Sequence, residues 1–271
     1  MTVDRRLTNA PLVEVIAEIH WVLEQSLQGN PFDPNWFKMA LQIEPPLQAI
    51  LPVIEPLQPV GTMVPLDMLG RSPLVRFRPK EGAWPLAQFG QGIATVNAIP
   101  PYDGWDAVKD LFKRILISAR DASPIFAQVR PERFQLTYRD AFTEDHGVKD
   151  VDLFLTKQVQ LANPAGLDLI SKAVGNTASL AITEVRANVA TLPKTTFSVR
   201  GSRGQIRNGP GPRPAAILDF VVNGAPDLKT LDVGAILEWF DQAHDIAWGA
   251  FTTLIPGEIM ANLKSERGRH A

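Results

Sequence analysis

One order of elements occurs twice in this sequence: strand, polar irregular stretch, strand, long amphipathic helix. The first pass runs from a strand at Val13–Val22 to one at Gly92–Ile99 and a helix from Trp105 to about Ala119. The second runs from Arg133–Phe142 to Ala215–Val222 and a helix from Leu231 to about Ile255. An amphipathic helix must bury its stripe, and an alternating strand must bury one face. Helices laid on antiparallel sheets satisfy both needs. The order therefore predicts an α+β fold of two similar halves, 1–122 and 123–271, that share one core. Each half would be an antiparallel sheet packed on a long amphipathic helix. Strands curled round the two helices would make the arrangement helix-grip-like.

The patterns behind these elements are specific. Val13, Val15, Ala17, Ile19 and Trp21 alternate with Glu14, Ile16, Glu18, His20 and Val22, the period of a half-buried strand. Phe134, Leu136 and Tyr138 alternate with Arg133, Gln135, Thr137 and Arg139 in the same way. Trp105, Val108, Leu111, Phe112, Ile115 and Leu116 share one helical face, and Ile236, Phe240, Ala243, Ala247 and Phe251 share another. Asp33-Pro34 reads as a helix start with Trp36, Phe37, Ala40 and Leu41 as its apolar stripe. Pro45-Pro46 reads as that helix's end, because the residue before proline avoids the α region. The stretch 45–73 holds seven prolines among Leu, Ile and Val, which predicts an extended segment pinned to the surface or a sheet edge. Leu74–Arg78 and Leu86–Phe89 read as short strands, Gly90-Gln91-Gly92 as a hairpin turn, and Leu167–Val174 as a short helix. Leu180–Ala190 and Thr195–Arg200 read as further antiparallel strands.

Bulk properties exclude several functions. Net charge is −2, so no global field draws the chain to nucleic acid or anionic membrane. Cysteine is absent, which removes disulfides, thiol nucleophiles and cysteine-ligated metal together. No apolar run reaches the ~20 residues of a membrane span. The start, MTVDRRLTNAPLVEV, has no apolar signal core. A cytoplasmic protein without membrane contact is expected.

Catalytic signatures are missing too. The four histidines, His20, His146, His244 and His270, include no zinc-type pair. His244 falls on the apolar stripe of the last helix and reads as a core histidine. Glu144-Asp145-His146-Gly147 with Asp150 and Asp152 is the densest acidic cluster, but its spacing is not that of a calcium loop, and it reads as a solvated turn. There is no Gly-x-Ser-x-Gly elbow, phosphate-binding P-loop or Rossmann glycine pattern. The reading favours a protein that is not an enzyme, with no metal and no cofactor. Arg139 and Asp219 fall on strand-like runs and would pair if those strands were neighbours.

One stretch rises above this background. Arg200, Arg203, Arg207 and Arg213 stand among Gly201, Gly204, Gly209 and Gly211. Arginine forks suit phosphate or carboxylate, and glycine admits close approach of an anion. The stretch reads as a loop at 200–213, either a plain hairpin loop or an arm for an acidic partner. It lacks the interleaved aromatics of a single-strand binder.

Ala10-Pro11-Leu12-Val13-Glu14-Val15, Val96-Asn97 followed by Tyr102 and Trp105, the strand Arg133–Asp140, Leu218-Asp219-Phe220, and the closing His244, Phe251 and Ile255 together resemble a family. It is a sporadically distributed family of uncharacterised bacterial proteins. The likeness runs over nearly the whole chain and rests on the order of the motifs. Thr137 and Asp140 stand where that family's strand carries Arg and Asn. The resemblance brings no activity, but its patchy distribution is similar to that of toxin–antitoxin and phage-defence components. The expectation is a bacterial interaction protein with a protein partner, engaged through the proline-rich stretch and the arginines at 200–213. The alternatives are a small-molecule or lipid-binding fold, with an apolar cavity near Trp21, Phe134, Trp239 and Trp248, and nucleic-acid binding through the arginines.

Overall fold

A computed structural model describes residues 7–57, 64–159, 182–207 and 211–265. Within them the chain is a mixed α+β fold built on one antiparallel sheet of nine strands. The strands are β1 (Leu12–Trp21), β4 (Val53–Pro56), β5 (Pro73–Arg78), β6 (Leu86–Gly90), β7 (Ile93–Ala98), β8 (Pro131–Phe142), β9 (Ile182–Asn188), β10 (Thr195–Ile206) and β11 (Arg213–Gly224). β2 (Glu24–Gln25) and β3 (Pro31–Phe32) form a separate two-stranded ribbon. The sheet order is β4-β5-β6-β7-β1-β8-β11-β10-β9. β1 and β8 meet at the centre, with Val15 opposite Tyr138 and Ile19 opposite Phe134. From that seam the order outward is β7, β6, β5 on one side and β11, β10, β9 on the other.

The helices are α1 (Trp36–Gln48), α2 (Leu66–Leu69), α3 (Trp105–Ala122), α4 (Pro124–Ala127), α5 (Val151–Leu153), α6 (Val233–Leu254) and α7 (Gly257–Lys264). None of the described helices is long and apolar enough to cross a membrane. α3 and α6 bury the stripes their spacing predicts, including Leu111, Phe112, Ile115, Ile236, Phe240 and Ala247. These meet Val15, Ala17 and Ile19 of β1, Phe134 and Leu136 of β8, and Val222 of β11 in one cluster. Phe240 carries its centre, with ring centroids 5.2 Å from Phe112 and 5.0 Å from Trp239. A second cluster joins Phe142, Phe154, Leu218, Phe220 and Phe251. The aromatic groups near the expected cavity pack on one another: Trp21 lies 5.6 Å from Phe126 and Phe134 lies 5.4 Å from Trp239.

Several local expectations are corrected. α1 does not stop at Pro45-Pro46 but carries both prolines inside it. Their missing N–H groups deprive the carbonyls of Leu41 and Gln42 of their helical donors. The helix continues because Ile43 and Leu47, each fully buried, hold it to the core on both sides of the pair. Its stripe is Trp36, Met39, Ile43 and Leu47, whereas Phe37 and Leu41 are 67% and 75% exposed. The helix start also moves: Asn35 is the N-cap, and the Asp33 carboxylate takes Asn35 N–H at 3.0 Å and the Trp21 indole at 3.1 Å. Val13 faces outward because the β1–β8 register shifts between Leu12 and Glu14. Of the stretch 45–73, β4 does sit at the sheet edge as expected, but 45–48 belong to α1 and 66–69 to α2, so it is not one extended segment, and 58–63 lie outside the described residues. Leu167–Val174 lies outside the described residues.

Candidate interaction face

The two faces of the sheet differ completely. Both hydrophobic clusters and the helices packed on them lie on one side. On the other side, successive strands point Glu55, Arg76, Gln88, Thr95, Glu18, Gln135, Asn223, Thr196 and Asn188 at one another. This is an unbroken polar row across all nine strands. A strand's side chains alternate between faces, so a sheet covered on one side only needs polar groups on the other. Ile16, Ile93, Ile217 and Val221 also lie on this side and belong to neither cluster. No described helix packs against it, and it is uncovered in that sense alone: Leu86, Ile93, Thr95, Asn97 and Thr137 near its centre are buried, while Arg200 toward the β9 edge is exposed.

A second row alternates in charge. Glu14, Arg139, Asp219, Arg200 and Glu184 stand opposite one another across β1, β8, β11, β10 and β9. Arg139 Nε donates to Asp219 Oδ1 at 2.7 Å, and Asp219 holds the Arg139 guanidinium more firmly in its charged form. The expected arginine–aspartate pair thus forms, but on the uncovered face rather than in the core. Neighbouring groups are paired as well. Asn97 Nδ2 donates to Glu14 at 2.9 Å, Arg186 meets Glu184 at 2.9 Å, and Arg78 Nε meets Glu55 at 2.9 Å. The Arg78 hydrogen bond, helped by Arg76, lowers the Glu55 pKa against the opposing effect of burial.

The four arginines expected in one loop are dispersed. β10 runs to Ile206 and β11 begins at Arg213, so Arg200 and Arg203 are strand residues. Arg200 is exposed on the uncovered face. Arg203 lies opposite Ala216 on the helix side, where it pairs with Asp152. Arg213 Nη1 meets Asp145 at 2.7 Å. Arg207 is exposed just past β10. Glycine here serves close packing: a Cβ on Gly204 would stand 2.6 Å from Ile217 Cγ1. The acidic cluster is thus a counter-charge for arginine. His146 caps the same turn, its Nδ1 accepting Thr143 N–H at 3.0 Å, and burial lowers its pKa. Among the described residues, no group of three His, Cys, Asp or Glu is placed to hold a metal.

The helix side holds a polar cluster that spacing alone did not reveal. Tyr138 OH and His244 Nδ1 are 2.7 Å apart, and the His244 ring stacks on Trp105 at 5.3 Å. Trp105 Nε1 donates to Asp241 Oδ1 at 2.9 Å, and Lys109 Nζ meets the same carboxylate at 3.1 Å. Asp140 lies deeper, and burial pushes its pKa up to about 8, with the Asp219 charge adding to the shift. Burial also raises the pKa of the Tyr102 hydroxyl, which lies beside Tyr138. The cluster braces α3 and α6 against β8. The signal available in sequence was the pair of strand positions Tyr138 and Asp140, both facing inward where an apolar residue is the norm.

Set against protein-family models, curated proteins and solved structures, the chain matches none of them. What the protein does has to be read from its own side chains.

Proposed function

We propose that this is a non-enzymatic interaction protein whose uncovered sheet face receives a protein partner. The observation that carries the reading is the face itself: a polar row in register over nine strands and a charged row over five, with apolar side chains between them and no described helix over it. Mixed polarity of this kind is what non-obligate protein interfaces present. A nucleic-acid backbone calls for unpaired positive charge. Here Arg139, Arg78 and Arg186 each have a carboxylate partner, which favours a partner of mixed charge. The mirrored strand order supports reading the chain as two copies of one unit. The two long helices packed together beneath the sheet support a helix-grip-like layout. A bacterial, cytoplasmic setting in toxin–antitoxin or phage-defence systems is the one the family resemblance implies.

A photo-crosslinking residue placed at Arg200, on this face, is compared with one at Lys113, on the outer side of α3. In cells of the native host the first should give a discrete protein adduct and the second none. Adducts from Lys113 alone, or from neither position, would overturn the assignment of the face.

A further inference from the structure

The same face has an open notch, about 370 Å³, where β8, β11 and β10 meet at one end of the sheet. Arg71, Arg133 and Lys194 supply three cations to its wall, against the single carboxylate of Glu132. Glu132 is already taken up, because Arg71 pairs with it while also donating to the Trp21 carbonyl at 2.9 Å. Arg133 uses only Nη2, which reaches the His20 ring at 3.0 Å, so its Nε and Nη1 donate to none of the described residues. Lys194 meets Asp227 only at 3.7 Å, with both groups well exposed. Lys194 also has φ +54, a left-handed conformation that residues with a Cβ seldom adopt, and such strain gathers at functional sites.

The floor carries a complementary demand. Asn223 Oδ1 is buried without a hydrogen-bond partner. A buried acceptor left unpaired is destabilising, so it calls for a donor. The wall therefore wants anionic oxygens and the floor wants a proton on the same small ligand.

We propose that this notch binds a phosphate group bearing its own hydrogen-bond donor. Arg133 and Lys194 hold the oxygens, with Arg71 beside them already paired to Glu132, and Asn223 Oδ1 accepts the ligand's O–H. Inorganic phosphate carries such a proton at neutral pH. A small phosphate ester can supply it from a hydroxyl beside the phosphate. Sulfate and phosphodiesters have none, so the site discriminates against sulfate and against a nucleic-acid backbone. This inference stands apart from the partner reading and is tested on the purified full chain alone.

The test is calorimetric and NMR titration with inorganic phosphate and with sulfate at matched ionic strength. Phosphate should bind about tenfold tighter than sulfate, a difference of about one hydrogen bond to a charged group. Arg133→Gln should weaken phosphate about tenfold, and Lys194→Gln, at an exposed position that does not endanger folding, should weaken it in the same sense. Asn223→Ala should bring phosphate and sulfate to parity. Equal affinity for the two anions in the unmodified protein, or phosphate binding indifferent to Arg133→Gln and Lys194→Gln, would overturn the proposal. Glycerol 3-phosphate binding more tightly than methyl phosphate would identify an ester with a neighbouring hydroxyl as the source. Inorganic phosphate binding more tightly than both would identify the free ion.

Discussion

Asp140 is the residue whose chemistry departs most from its type. Its carboxyl faces the helix side of β8, shut away from water, and its pKa rises from the ordinary 3.8 to about 8. The unfolded chain releases this proton near pH 4, and the folded chain only near pH 8. Between those values the folded state binds more protons, so stability is greatest below pH 4 and falls as pH rises through the folded value. Asp140→Asn keeps the shape and removes the proton. Urea midpoints of the native protein should drop between pH 4 and pH 8, and those of the variant should stay flat by comparison. Parallel curves would mean that Asp140 does not carry the effect.

At the scale of elements, α1 shows what periodicity conveys and what it leaves ambiguous. Its apolar residues admit two stripes, one through Phe37 and Leu41 and one through Met39 and Ile43. Only contact with β5 and β6 decides between them, since Phe77 and Phe89 share a cluster with Met39 and Ile43. Met39→Ala should therefore cost about 2–5 kcal/mol in denaturant unfolding, and Phe37→Ala should stay within about 0.5 kcal/mol. A reversed ranking would put the helix on its other face. The long elements were legible because each has one dominant period: β1, β8, α3 and α6 all lie where alternation or helical spacing places them. The arginine-rich stretch was not legible. Gly201 and Gly204 look like loop residues, yet they sit in β10, and at Gly204 a Cβ would run into Ile217, diagonally across on β11 from its partner Ala215. The uncovered face was half legible. Arg139 and Asp219 could be paired from strand patterns, but the row from Glu14 to Glu184 exists only once the strand order is known. The notch was invisible, since Arg71, Arg133, Lys194 and Asn223 come from four separate segments.

At the scale of the whole molecule, the main cluster takes side chains from both sides of residue 122, among them Phe112 and Phe134, and the β1–β8 pairing joins the two wings. A chain divided there would expose β1 along an unpaired edge and strip Phe240 from Phe112. We expect the full chain to unfold in one transition, with circular dichroism and tryptophan fluorescence coincident. Fragments 1–122 and 123–271, made separately, should lack dispersed NMR spectra. A native-like spectrum from either fragment would show that a half can stand alone.

The central place of β1 also bears on how the chain is made. β1 leaves the ribosome first among the strands, yet both of its neighbours come late: Glu14 waits 83 residues for Asn97, and His20 waits 113 residues for Arg133. Closing such long loops precedes any reward from pairing, so assembly is expected to be slow for a chain of this length. Throughout that wait, Val15, Ala17, Ile19 and Trp21 line a strand with two open edges, a natural client for a chaperone that shields nascent strands.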